Sequence, residues 1–177
     1  RQGLVGNRPI VLQSAGGFGV GPIAAITESL LASKTPIELV VVCGKNEDAK
    51  AQLEKIAVPA RHRIKLIGYT REMHELMAVA DLVVSKPGGL TTSEVLASGA
   101  AMVIVNPIPG QESRNSDYLL EAGAAIKVNN LATLTMKVDA VLADPKRLAE
   151  LKRNAKRIAR PDAAFEIARR ALAWPTA

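Results

Sequence analysis

"QSAGGFGVGPIAAI", residues 13–26, places four glycines within six positions, between the apolar run PIVL and a helix-like run. A strand, a bare turn and a helix in that order open a βαβ unit on a parallel sheet. The alternation continues along the chain. Strands are predicted over 9–14, 37–43, 63–67, 82–85, 102–106 and 124–128. Helices are predicted over 22–33, 47–57, 71–79, 91–98, 114–122, 131–143 and 145–159, with a last one from about 162 to 173. Pro161 separates the final two, because proline blocks continuation of a helix. The expected fold is α/β: a Rossmann-like, doubly wound parallel sheet of about six strands with a helical C-terminal tail. It forms a single domain over 1–177, in which 145–177 is a basic helical tail.

A chain of 177 residues suits one domain with a sizeable core. Apolar residues make up 48% and aromatics 3%, so Val, Ile, Leu and Ala must build that core, as in parallel sheets. The single cysteine, Cys43, excludes an internal disulfide and sits in an apolar run, which reads as core in a reduced, cytoplasmic protein. No stretch approaches the roughly 20 apolar residues of a membrane helix, and none reads as a signal peptide. The chain begins at Arg1 rather than methionine, as a piece of a longer protein would. From Lys146 onward nine Lys and Arg face three acids, so the whole net charge of +6 lies there. Such a segment suits an anionic membrane surface, nucleic acid or simple solvation.

Ligands of doubly wound sheets bind beyond the carboxyl ends of the strands. Three unusual loops fall there: 14–22, 86–91 and 106–115. In the first, Gly16, Gly17, Gly19 and Gly21 lead into Pro22, which suits the first turn of a helix. Free N–H groups at that helix start favour a phosphate, while the same glycines suit close strand–helix packing. A dinucleotide site requires G-x-G-x-x-G and an acid about 20 residues on. The spacing here is Gly17-x-Gly19-x-Gly21, and the second strand ends Val42-Cys43-Gly44-Lys45 with no carboxylate. G-x-x-x-x-G-K-[ST] is absent as well.

The second loop, SKPGGLTTSE (85–94), again runs from a strand through glycines into a helix. Thr91 and Glu94 have capping-box spacing. Glu94 equally suits two vicinal sugar hydroxyls, since a carboxylate offers two acceptor oxygens. The third, NPIPGQESRN (106–115), is stiffened by two prolines and presents Gln111, Glu112, Ser113, Arg114 and Asn115, to read a sugar or to cap the next helix. His62 and His74 read as partly exposed structural residues, and the Leu, Met and Ala positions of 73–80 as core-facing helix.

With the three loops in register, "GYTREMHELMAVADLVVSKPGGLTTSEVLASGAAMVIVNPIPGQESRNSDYLLEAGAA" (68–125) resembles the C-terminal half of GT-B glycosyltransferases of family 28. GGFGVGP extends the likeness to nearly the whole chain. KPGGLT-x-SE followed by PIPGQE-x-x-N resembles the monogalactosyldiacylglycerol synthases and processive diacylglycerol glucosyltransferases more than the lipid II–forming enzyme. The resemblance implies that the backbone of Thr70 pairs with uracil and that Gly88, Gly89, Leu90 and Thr91 meet the diphosphate. It implies that Glu94 holds the ribose hydroxyls, that Gln111 and Glu112 lie near the donor sugar with Asn115 in the same loop, and that the loop with Gly16, Gly17, Gly19 and Gly21 flanks diphosphate and sugar.

The implied activity is inverting transfer of a hexose, galactose or glucose, from a UDP-sugar to a lipid acceptor such as diacylglycerol, in glycolipid biosynthesis at the inner face of a membrane. UDP-sugar and lipid are then the partners, with an anionic membrane surface as a further one. No cofactor is expected. Two glycine-lined helix starts can stabilise the leaving UDP without a metal, and Asp81 and Asp117 stand isolated, forming no acidic pair. The family's general base and acceptor site belong to an N-terminal half that this chain lacks, so the isolated chain is expected to be inactive. Ser14 and Ala15 depart from the glycine or threonine of relatives. Alternatives are a UDP-N-acetylglucosamine-type transferase or 2-epimerase of the same architecture, or a non-catalytic nucleotide-binding module. Nucleic acid is not an expected partner, because Phe18, Tyr69, Tyr118, Phe165 and Trp174 are too scattered to stack bases. The family pattern also lets the basic tail cross back to the absent half.

Overall fold

Six apolar runs become parallel strands because helices cover both faces of the sheet, leaving few positions for polar side chains to alternate. The computed structural model describes residues 3–174; Arg1, Gln2 and the last three residues of the predicted tail lie outside the described residues. The strands are β1 (Ile10–Ser14), β2 (Glu38–Val42), β3 (Arg63–Ile67), β4 (Leu82–Ser85), β5 (Ala101–Val105) and β6 (Ala125–Val128), each within one residue of its predicted bounds. They pair in parallel in the order β3-β2-β1-β4-β5-β6. Leu12 stands between Val40 and Val83 in register. The order reverses between β1 and β4, which opens a crevice at their carboxyl ends.

The helices are α1 (Ile23–Leu31), α2 (Glu47–Leu53), α3 (Met73–Val79), α4 (Gly89–Ser98), α5 (Gln111–Glu121), α6 (Leu134–Leu142), α7 (Pro145–Ile158) and α8 (Ala163–Leu172), with a 3-10 turn, Leu131–Thr133, before α6. Leu30, Leu53 and Val138 pack α1, α2 and α6 on the face carrying Val11 and Val103. Leu76, Val95 and Leu119 pack α3, α4 and α5 on the face carrying Leu12 and Ile104. α7 joins both layers through Leu151 and Ala155. Asp144 caps it by accepting from the N–H groups of Lys146 and Arg147. The other basic helix, α8, buries no residue.

Several helix bounds differ from the sequence analysis. α4 starts at Gly89 and α5 at Gln111, two and three residues earlier than predicted, because the caps are Gly88 and Gly110. A glycine cap offers no side-chain signal to read. Pro22 is the cap of α1 rather than a residue of its first turn. α2 stops four residues early, where Lys55 and Ile56 turn tightly onto the carbonyls of Gln52 and Leu53.

At the amino ends of the strands, polar groups are committed to holding the backbone. Asp81 accepts from the N–H of Ile10 at 3.0 Å and from Lys152 at 2.9 Å. Glu38 accepts from the N–H of Val5 at 3.2 Å. Asp139, on α6, accepts from Ser33 and from the N–H groups of Lys34 and Thr35. Burial pushes the Asp139 carboxyl up, but those hydrogen bonds outweigh it and hold the group below its ordinary value. His62 is a correction: it is buried, 5% exposed, not partly exposed. Its Nδ1 accepts from the N–H of Ile37, so the neutral ring carries its proton on Nε2. Burial, reinforced by Arg61, depresses its pKa.

Candidate functional site

The β1–α1 turn is a glycine turn for two different reasons. A Cβ on Gly19 would stand 2.0 Å from the carbonyl oxygen of Cys43, at a φ of +65°. That glycine belongs to packing: the turn lies on the β2–α2 turn, with the N–H of Lys45 donating to Gly17 O at 3.1 Å and Asn46 Nδ2 donating to Gly19 O at 2.8 Å. Gly17 has no positive φ, and a Cβ added to it would meet no atom within 4 Å. Nothing among the described residues requires glycine there. The bare backbone faces open space, as it does at Gly16.

Across the crevice, β4 ends at Ser85, whose hydroxyl donates to Ser14 O at 3.0 Å and ties the two strand ends together. Lys86, Pro87 and Gly88 follow, and α4 begins with no side-chain cap and no acid in its first turn. The first return hydrogen bond runs from Thr92 N to Gly88 O. The N–H groups of Gly89, Leu90 and Thr91 therefore have no partner within the helix and add to its positive end. The capping box expected of Thr91 and Glu94 does not form, because Thr91 is the third residue of the helix and not its cap. Glu94 is exposed one turn on, with no hydrogen-bond or ion-pair partner among the described residues.

The third loop closes on the second. Asn115 Nδ2 donates to Pro87 O at 2.8 Å, and Glu112 accepts from the N–H of Ile108 at 2.6 Å. Gln111 opens α5 with an exposed side chain. A cavity of about 220 Å³ results, in which Gly16, Gly17, Gly88, Thr91 and Glu112 of the predicted residues come together with Phe18 and Lys86. Gly21 lines a neighbouring, mostly apolar cavity of about 260 Å³ with Pro22, Ile23, Val105 and Ile108. Gly89, Leu90, Glu94, Gln111 and Asn115 stand on α4 and α5 outside the lining. Thr70 lies apart, after β3, where its hydroxyl accepts from the N–H of Glu72 before α3.

Lys86 is the residue that sequence reasoning misses. It lines both cavities and has no ion-pair partner among the described residues. Its only signal is a cation just before a Pro-Gly-Gly turn at a strand end. Cys43 is buried core, as its apolar run implies, and burial pushes its thiol up, so it offers no thiolate. His74 is exposed on α3.

The family described as the glycosyltransferase family 28 C-terminal domain matches residues 23–167. A processive diacylglycerol beta-glucosyltransferase of Bacillus licheniformis is 38% identical over 151 residues, covering 85% of this chain and 39% of that protein. The Bacillus cereus protein of that name is 35% identical over 165 residues, covering 93% and 42%. The chain thus spans about two fifths of these curated relatives. Among solved structures, Acinetobacter baumannii MurG superposes with a TM-score of 0.76 at 23% identity, over 92% of this chain and 51% of that one. A co-structure of Staphylococcus aureus MnaA with UDP gives 0.70 at 15% identity, over 91% and 44%. At those identities the structural likeness concerns the fold alone.

Proposed function

The chain belongs to the glycosyltransferase family 28 C-terminal domain family, and from that premise we propose that it is the UDP-sugar-binding half of a transferase that moves a hexose onto a lipid hydroxyl with inversion. One observation carries the reading: Gly88 and Thr91 at the uncapped start of α4 and the bare backbone of Gly16 and Gly17 line one cavity together with Lys86. A diphosphate there meets the positive end of α4 beside Gly88 and Thr91 and takes a counter-charge from Lys86. The helix end is fixed before reaction, so it favours the charge that grows on departing UDP at little reorganisation cost. Glu94, without a partner among the described residues, suits the two ribose hydroxyls. Gln111 and Glu112, at the start of α5, suit the hexose, with Asn115 holding their loop to Pro87.

We place deprotonation of the acceptor outside this chain, in the length of the curated relatives that it does not cover. The isolated chain binds donor without turning it over, and needs no metal to do so. Calorimetric titration of UDP, UDP-glucose, UDP-galactose and NAD tests this. UDP and at least one UDP-sugar bind, and NAD does not. Binding of NAD with no response to UDP contradicts the reading, as does hexose transfer by the chain alone.

Membrane contact belongs to the same reading. No helix among the described residues is long and apolar enough to cross a membrane. α8 and the residues following it expose Phe165, Ile167, Leu172 and Trp174 beside Arg169 and Arg170, a pattern suited to an anionic lipid surface. Co-sedimentation with anionic but not with zwitterionic vesicles is the expected result. Recovery with neither removes the membrane surface as a partner, and equal recovery with both removes the preference for anionic lipid.

A further inference from the structure

Beside the donor cavity lies the mostly apolar one, and its lining has the opposite character. Its floor belongs to the core: Ile23 and Ile26 of α1 and Val105 at the end of β5 are buried. Its lip does not. Val20, in the β1–α1 turn, is 62% exposed, and Ile108, in the β5–α5 loop, is 54% exposed. The polar side chains that β1 contributes are spent within the chain. Gln13 donates to Ile23 O and accepts from Thr27, each at 2.9 Å, and Ser14 Oγ accepts from the N–H of Gly16. That leaves Asn106 and Lys86 as the polar lining side chains without a partner among the described residues.

The two cavities share a wall, because Ala15, Val20 and Lys86 line both. At about 260 Å³ the apolar one falls short of the roughly 300–1,000 Å³ that enclose a whole drug-sized ligand, so it admits part of a larger molecule. A sugar on that floor would leave hydroxyls unpaired, which is costly. An alkyl chain asks for no partner there and withdraws its own apolar surface from water. Transfer to a lipid hydroxyl needs both features: a dry slot for the chain, and a polar mouth where the hydroxyl comes within about 3–3.5 Å of the hexose. A side chain from the rest of the polypeptide, seated there permanently, would stand where that hydroxyl has to arrive.

We propose that this cavity is the chain's own share of the acceptor site. It takes the glyceryl end of the lipid and the first methylenes of one acyl chain, with the free hydroxyl toward Lys86. The inference rests on the donor-site reading above. The family resemblance assigns the acceptor to the half that this chain lacks; the cavity adds a wall to that site from this side.

The test is titration of dihexanoylglycerol, kept below its micelle concentration, into the chain alone and into the chain saturated with UDP, followed by methyl chemical shifts. Dihexanoylglycerol moves the methyls of Ile23, Ile26, Val105 and Ile108 in both states, and glycerol moves none of them. Ile108→Asn, at an exposed position, weakens dihexanoylglycerol by about tenfold, the value of one apolar side chain removed from contact. UDP affinity stays within about twofold in that variant, and Ile108→Leu keeps both ligands. Absence of these shifts, shifts confined to α8, an equal response to glycerol, or unchanged lipid affinity in Ile108→Asn overturns the proposal. So does displacement of UDP by dihexanoylglycerol, which would put the lipid in the donor's place. A chain that binds UDP but not dihexanoylglycerol overturns this inference alone. A chain that does not bind UDP overturns the donor-site reading and the acceptor assignment with it.

Discussion

The two ends of the sheet use their polar groups in opposite ways. At the amino ends, Asp81, Glu38 and Asp139 each hold backbone N–H groups, and Arg61 donates to the carbonyl of Ser33. At the carboxyl ends, Glu94, Lys86 and Lys45 have no charged partner among the described residues, and α4 starts without a cap. The same residue types serve stability at one end and remain available at the other. On the proposed reading, these unpartnered charges stand at the end that meets the donor.

The contrast is open to breakage residue by residue. Within one turn, Gly19→Ala and Gly17→Ala should separate completely. Gly19→Ala drives a methyl into the Cys43 carbonyl at a positive φ and is expected to cost about 3 kcal/mol or more by denaturant unfolding. Gly17→Ala meets nothing, so stability should stay within about 0.5 kcal/mol while UDP affinity falls. Equal stability of the two variants would erase the distinction between packing glycine and ligand glycine.

Asp139→Ala removes an acceptor for three donors at the amino end. A loss of about 2–3 kcal/mol in stability with unchanged UDP affinity is expected, as for hydrogen bonds to a charged group. Glu94→Ala is its mirror image. It should weaken UDP by about 1–3 kcal/mol, or roughly tenfold, and leave the unfolding midpoint in place. A change of stability in Glu94→Ala, or of UDP affinity in Asp139→Ala, would mean that the two ends are not separate in function.

The smallest effect is in pH. His62 is depressed in the folded protein, so the unfolded chain binds its proton more readily. Its stabilising contribution is fully present above the ordinary histidine value of about 6.5 and is lost as pH falls from there through the folded value. His62→Gln should flatten the stability profile just below pH 6.5 without changing nucleotide affinity measured at neutral pH. A profile that keeps its slope in the variant assigns it to another group.

Legibility in the sequence follows the same division. Strands such as IELVVVC are buried on both faces, so their apolar runs announce them and their bounds. Helix starts at the crevice read late because Gly88 and Gly110 leave no trace of a cap. The site loops are visible as glycine-rich or proline-stiffened stretches at strand ends. Their roles are less so: Gly19 and Gly17 look identical in sequence and differ only in what stands beside them. Lys86 escapes notice because a lone lysine has no periodicity. His62 misleads because a histidine before an edge strand gives no sign that its ring tucks under the N–H of Ile37.

Amide chemical-shift mapping during titration with UDP reads both ends of the sheet in one experiment. UDP is predicted to move the amides of Gly16, Gly17, Gly88, Gly89, Leu90 and Thr91 and to leave those of Val5, Ile10, Thr35 and Ile37 in place. Shifts confined to the amino-end amides, or saturation with UDP that leaves the Gly88–Thr91 turn unmoved, would contradict a donor site at the carboxyl ends.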